Sequence, residues 1–330
     1  MGRRALRKIQ IGIETTAGTE TNADEIWRGV GVIEDEATPV IVEEDVGIYG
    51  GTDRSYLPYV LGHLRFEDTP ATFEQLPYIL ACGVENVQTG SADGTGSGKV
   101  YQYDFPTTQQ ATICTATLEA GDNQQEEQFT YGFVESFRIA GNAQEAVMMS
   151  ADWTGRQVAP GAYTAALTLD TVEEILFQKA TLYIDTSGGT FGGTQKTDTL
   201  LSFDFYMNTG WVPLFTGDGN LYFTVNKCVG PEITLDVTFE HDATAVAVEA
   251  ARLAETEQLV RIKVEGSELT TDDGYTYKTL IIDAAGKWID PGPLADQDGN
   301  DIRMGHLVSK YNVTAADWGK IIVVNEVAAL

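Results

Sequence analysis

Glu232-Ile233-Thr234-Leu235-Asp236-Val237-Thr238-Phe239-Glu240 is the stretch that decides the fold. Ile233, Leu235, Val237 and Phe239 alternate with Thr234, Asp236 and Thr238, the two-residue period of a strand with one face in a core and the other in water. The same period runs through Phe129, Tyr131, Phe133, Phe137 and Ile139. Around these two anchors the pattern predicts strands at Val100 to Phe105, Ala111 to Leu118 and Ala146 to Thr154. It predicts further strands at Lys179 to Asp185, Leu200 to Met207, Leu221 to Val225 and Leu259 to Glu265, then at Tyr275 to Asp283, Gly305 to Tyr311 and Gly319 to Glu326. The fold class expected is therefore all-β dominated, with only short flanking helices.

Two helices interrupt the strands. Thr72 followed three residues later by Gln75 has the spacing of a capping box, and Phe73, Leu76, Ile79 and Leu80 then share one helical stripe up to Gly83. Pro77 is tolerable because it falls early. The Ala-rich segment Ala243 to Ala254 predicts the second helix. Pro160-Gly161, inside the break from Arg156 to Tyr163, marks a domain boundary, giving a unit of residues 1–158 and a second β-rich unit of residues 159–330. Each unit has one helix among its strands, which hints at a duplicated module although residue identity between them is low.

Composition narrows the function. The 330 residues are 43% hydrophobic and 21% charged, with 34 Gly against 10 Pro, as in a turn-rich globular chain. Net charge is −28, from 21 basic and 49 acidic residues. Arg3, Arg4, Arg7 and Lys8 crowd into the first eight positions, so a short basic arm precedes a body more acidic than the whole, and such a body repels nucleic acid. No apolar run approaches the roughly 20 residues of a membrane span. After the basic start, Ile9 to Glu20 offers no apolar signal-peptide core, so export by that route is not expected.

Chemistry is sparse. Cys82, Cys114 and Cys228 are far apart and read as buried thiols, and His63, His241 and His306 are equally scattered, so no metal or other cofactor is expected. Carboxylates are too abundant for any pair to signal glycoside hydrolysis. Asp296 to Asp301 resembles the start of a calcium loop but lacks Gly at the sixth position, and reads as an Asp-Gly turn, as do Thr216 to Asn220 and Asp272-Asp273-Gly274. In Ser187 to Gly193 the following Thr194-Gln195 breaks the spacing of a phosphate loop. No Gly-x-Ser-x-Gly elbow is present. No catalytic residue is assigned, and the chain is not expected to be an enzyme.

The opening Ile9-Gln10-Ile11-Gly12-Ile13-Glu14-Thr15-Thr16-Ala17-Gly18-Thr19 resembles the start of tail tube proteins of siphophages, the long-tailed bacteriophages. So do the acidic segment Glu43 to Ile48, the strand Gly62-His63-Leu64-Arg65-Phe66-Glu67, the helix Phe73 to Leu80, and the segments Val134 to Gly141 and Ala151 to Arg156. The resemblance covers most of the first half. It implies tail-tube-type β-sandwich or barrel domains, either two tandem copies in one chain or one tube domain with a decorating second domain, and a virion protein made in the bacterial host cytoplasm. Its partners would be copies of itself in stacked rings, trimeric and pseudo-hexameric or else hexameric, together with a tape measure protein and a tail terminator. Phage DNA would pass through the tube without specific binding.

A ring needs sheet edges that neighbouring copies complete, and stacking needs an axial contact. The candidates for the inter-ring contact are the arm residues Arg3, Arg4, Arg7 and Lys8, and Glu43, Glu44, Asp45, Tyr49, Asp53, Arg54 and Tyr56 of the polar loop Asp45 to Tyr59 and its approach. An acidic bore is expected, because a basic one would hold DNA by counterion release. The competing expectation is a virion decoration or an adhesin-like β-sandwich binding module.

Overall fold

A computed structural model describes residues 2–51 and 53–330; Thr52, within the expected loop, lies outside the described residues. The architecture is all-β, with antiparallel strands throughout and, among the described residues, two short α-helices. In chain order the main elements of the first half are β1 (Lys8–Ile13), β2 (Ile33–Glu36), β3 (Leu61–Pro70), α1 (Leu76–Gly83), β4 (Lys99–Asp104), β5 (Ala116–Gly121), β6 (Glu126–Asn142) and β7 (Met148–Gly155). The second half holds β8 (Ala180–Thr186), β9 (Leu200–Asn208), β10 (Glu232–Glu240), α2 (Ala243–Leu253), β11 (Gln258–Glu268), β12 (Tyr277–Pro291), β13 (Asn300–Ser309) and β14 (Gly319–Asn325). Membrane crossing by helices has no candidate here: among the described residues no helix is long and apolar enough.

The two halves repeat one strand order. In the first, neighbours run β1–β5–β6–β7–β3–β2. In the second they run β8–β11–β12–β13–β10–β9. The long middle strands β6 and β12 even carry a bulge at the same place, between Val134 and Ser136 against β7 and between Trp288 and Asp290 against β13. Aligning bulge with bulge makes Ser136 the counterpart of Asp290, Asp152 of His306, Arg65 of Asp236 and Glu36 of Asn208, since each set lies on one cross-strand row or ends its strand. In both halves the strand ending at that position enters a projecting loop, returns as the next strand and runs into a helix.

The halves are joined edge to edge. Residues Ser136 to Asn142 of β6 pair with Asn208 to Ser202 of β9, and β4 pairs with β14. With Glu127 and Gln128 also paired to Pro160 and Ala159, the expected boundary near residue 158 is crossed by three ladders among the described residues, and one hydrophobic cluster contains Ile9, Phe66, Phe137, Phe203, Leu235, Trp288 and Val323 together. Among the described residues, following the ladders strand by strand never returns to the start, so the sheet is branched and open rather than closed into a barrel.

Most elements lie where the apolar period places them, and the departures have local causes. Every residue of α1 is buried, with Pro77 in the first turn where its missing N–H costs nothing. Only half of the capping box forms: the Gln75 N–H reaches Thr72 Oγ1 at 3.3 Å, but the Gln75 side chain turns away to Glu25 and the Ile26 carbonyl. The strand expected at Ala111 to Leu118 starts five residues later, at Ala116, and the one expected at Leu221 to Val225 is Val225–Cys228, because partners rather than propensity set strand ends. The Asp298-Gly299 turn has φ 54 and 89, the left-handed pair of a tight hairpin. Cys82 and Cys114 are buried, whereas Cys228 is half-buried.

Candidate assembly surfaces

Seven of the expected contact residues lie on one projecting hairpin. Val40–Ile41 pairs with Ser55–Tyr56, and the Val42 N–H continues to the Arg54 carbonyl at 3.0 Å. Gly47 and Gly51 have φ 72 and 86, which lets the tip reverse. A Cβ added at Gly47, Gly50 or Gly51 would meet nothing within 4 Å, so the tip stands clear of the body. Arg54 pairs with Glu44 along the hairpin. The apolar side chains face water: Ile41 is 74% exposed, Ile48 66%, and Tyr49 fully so. Apolar groups held out on a ribbon that lacks a core of its own mark a contact surface.

The base of the hairpin is built firmly. Tyr59 packs edge-on against Phe215 at 5.6 Å, and the Val60 N–H donates to Leu221 O at 3.0 Å. Glu36 receives the Tyr59 hydroxyl and meets His63 Nε2 at 3.0 Å, and these bonds hold its carboxyl below the ordinary range. Beside it the corresponding loop of the second half forms its own ribbon, Trp211–Leu214 with Val225–Cys228. Arg156 clamps that ribbon to the first half: its guanidinium lies 4.4 Å from the Tyr131 ring centre and donates to the Phe223 and Thr224 carbonyls at 3.0 and 2.6 Å. Of this second ribbon, one arm corresponds to the strand expected at Leu221 to Val225, shifted to Val225–Cys228, whereas its partner Trp211–Leu214 shows no strand period in the sequence.

The basic arm lies elsewhere. Arg4–Leu6 forms one exposed turn, the Arg3 N–H donates to Asn123 Oδ1 at 3.1 Å, and Lys8 Nζ sits 3.9 Å over the Tyr163 ring. The Asp122 carboxyl is held low mainly by the Gln124 and Gln125 N–H groups, with Arg7 adding attraction. These contacts are with Asp122, Asn123 and Tyr163, not with the hairpin. Arg7 also flanks a groove that runs along the outer edge of β2 and is bounded by Gly31, Ile33, Gly121, Gln125 and Glu127.

A third surface is the outer face of the sheet made by β3, β7, β6, β9, β10 and β13. Beneath it Phe137, Phe205, Leu235 and Leu307 are buried; above it Arg65, Asp152, Arg138, Asp204, Asp236 and His306 line cross-strand rows. Arg138 makes a two-pronged pair with Asp204 at 2.8 and 2.6 Å and lies 3.8 Å from Asp68, Arg65 lies 3.6 Å from Asp152, and His306 meets Asp236. Among the described residues Glu34, beside Arg65 and Asp152, has no ion-pair partner, so carboxylates outnumber guanidinium groups on the face. His63 also meets Thr154 Oγ1 at 3.1 Å, an order that resembles hydroxyl, imidazole and carboxylate in a hydrolase, but Thr154 is fully buried and its oxygen cannot meet a substrate. Among the described residues no three His, Cys, Asp or Glu side chains are grouped to hold a metal ion.

Compared with models of known protein families and with curated proteins, the chain matches none.

Proposed function

We propose that the protein is a structural, non-enzymatic subunit that polymerises with copies of itself into stacked rings, as a tail-tube-type component of a long-tailed phage virion. One observation carries the reading. Two modules with the same strand order are already joined head to tail inside the chain through the ladder between β6 and β9. A heterologous joint of this kind, repeated between copies, propagates until rotation closes it into a ring. With two modules per chain, three copies give pseudo-sixfold symmetry.

The other surfaces fit the same reading. The apolar hairpin around Tyr49 supplies an axial contact between rings, joined by Glu43, Glu44, Asp45, Asp53, Arg54 and Tyr56. The arm residues Arg3, Arg4, Arg7 and Lys8 supply a basic counterpart for an acidic neighbour. The polar sheet face forms the wall of the bore, where excess carboxylate keeps DNA sliding. Tape measure and terminator proteins would meet the inside and the end of such a tube. Electron microscopy of the purified protein tests this: rings or tubes of uniform diameter are expected, and a protein that stays monomeric at every concentration and salt would rule it out in favour of a decoration module.

A further inference from the structure

The internal repeat specifies which strand edges meet between copies and in what register. Within the chain, the outer edge of β9 is filled by Ser136 to Asn142 of β6. Its counterpart in the first half is β2, whose outer edge is paired with no strand among the described residues and faces the groove flanked by Arg7, Gln125 and Glu127. The counterpart of residues 136–142 is 290–296, beyond Gly286, where β11 stops covering the same edge of β12. One module thus has an empty slot, and the other has an uncovered strand equivalent to the one that fills it.

From this equivalence we infer that the edge of β2 in one copy receives residues 290–296 of a second copy, with Glu36 opposite Asp290 and Glu34 opposite Gly292. Those pairs repeat Asn208 opposite Ser136 and Tyr206 opposite Arg138. Backbone direction agrees. Glu67 N–H donates to Val30 O at 2.9 Å, so even-numbered groups of β2 face β3 and those of Ile33 and Asp35 face outward. Gly292 N–H donates to Met304 O at 3.2 Å, so Pro291 and Pro293 present their carbonyls outward. Ile33 and Asp35 N–H groups then donate to the Pro293 and Pro291 carbonyls.

The prolines return no N–H, so the joint is a half-ladder. An edge built this way resists indiscriminate strand pairing while still accepting a partner that brings donors in register. Asp290 faces Glu36 across the joint, and like charges opposite one another weaken a pair, so assembly strengthens with added salt.

This inference rests on the self-assembly reading, and the test separates the two. Glu34→Cys with Gly292→Cys is made in a Cys228→Ser background, the pair chosen because non-hydrogen-bonded cross-strand positions approach within disulfide range. After mild oxidation, a covalent ladder that stops at one ring-sized species is expected on non-reducing gels. Either cysteine alone should give none. Asp35→Pro, which removes one outward donor and no bond to β3, should abolish the ladder without changing the melting temperature. Rings in micrographs with no covalent ladder, or a ladder indifferent to Asp35→Pro, would overturn the joint and leave the proposed function standing. A wild-type protein that never assembles would overturn both.

Discussion

Glu14 shows how one buried carboxylate sets the geometry of a corner. Its oxygens accept the Gly18 N–H at 2.6 Å, the Tyr131 N–H at 2.8 Å, and the hydroxyls of Thr115 and Thr117 at 2.6 and 3.1 Å. Tyr131 has φ 58, a strained value for an aromatic residue, at the point where β6 leaves β5 and bends toward β7. Removing the acceptor leaves buried donors unpaired, so Glu14→Ala should destabilise the fold by about 3 kcal/mol in chemical denaturation; a loss below ~1 kcal/mol would show that the corner holds without it. Glu25 behaves oppositely. Burial, with the nearby Asp170 and Asp24 adding repulsion, pushes its carboxyl up to about 7 from an ordinary 4.5. Between those values the native state keeps a proton that the unfolded chain has released, so stability falls as pH rises through this window and is level above it. Melting temperature measured from pH 5 to 8 should decline for the wild type and stay nearly flat for Glu25→Gln, which keeps the bond to Gln75 without a charge; parallel curves for the two proteins would disprove the assignment.

Elements were legible from sequence to the degree that they bury one face. The anchor strand Glu232–Glu240 falls on the predicted residues because four core side chains and their polar alternates leave one register open. The hairpin around Tyr49 reads as a loop in the sequence, since Val40–Ile41 and Ser55–Tyr56 make a ladder of only two residue pairs and no period can show in so short a run. Nor could sequence separate the arm from the hairpin as contact candidates, because their surroundings come from residues more than a hundred positions away, such as Asn123 and Phe215. The hairpin's exposed apolar groups do little for the monomer. Ile41→Ser with Tyr49→Ser should therefore leave monomer stability within about 0.5 kcal/mol of the wild type. The same variant should form rings that fail to stack, seen as discs in place of tubes; tubes of normal length would exclude this hairpin from the axial contact.

At the scale of the whole molecule, the repeat is a matter of topology and almost absent from residue identity. Arg65 and Asp236 occupy equivalent rows with opposite charge, and Ile9-Gln10-Ile11 of β1 stands where Leu182-Tyr183-Ile184 of β8 stands, so only the apolar alternation persists. Pairing order and bulge position carry the equivalence, and neither is visible until partners are known. The same arrangement gives the acidic composition a place to act. Cross-strand pairing uses up Arg65 and Arg138 against Asp152 and Asp204, which leaves the outer sheet face anionic through Glu34 and the weakly paired Asp68. A wall of that sign cannot displace the cations condensed on DNA, whereas added lysines would displace them and make binding salt-dependent. Assembled wild-type protein should therefore not retain short duplex DNA in co-sedimentation at about 0.05 M salt, where such release is strongest. Glu34→Lys with Asp68→Lys should retain it, with retention falling steeply as salt rises. If the assembled variant sediments as free of DNA as the wild type, this face lies outside the bore.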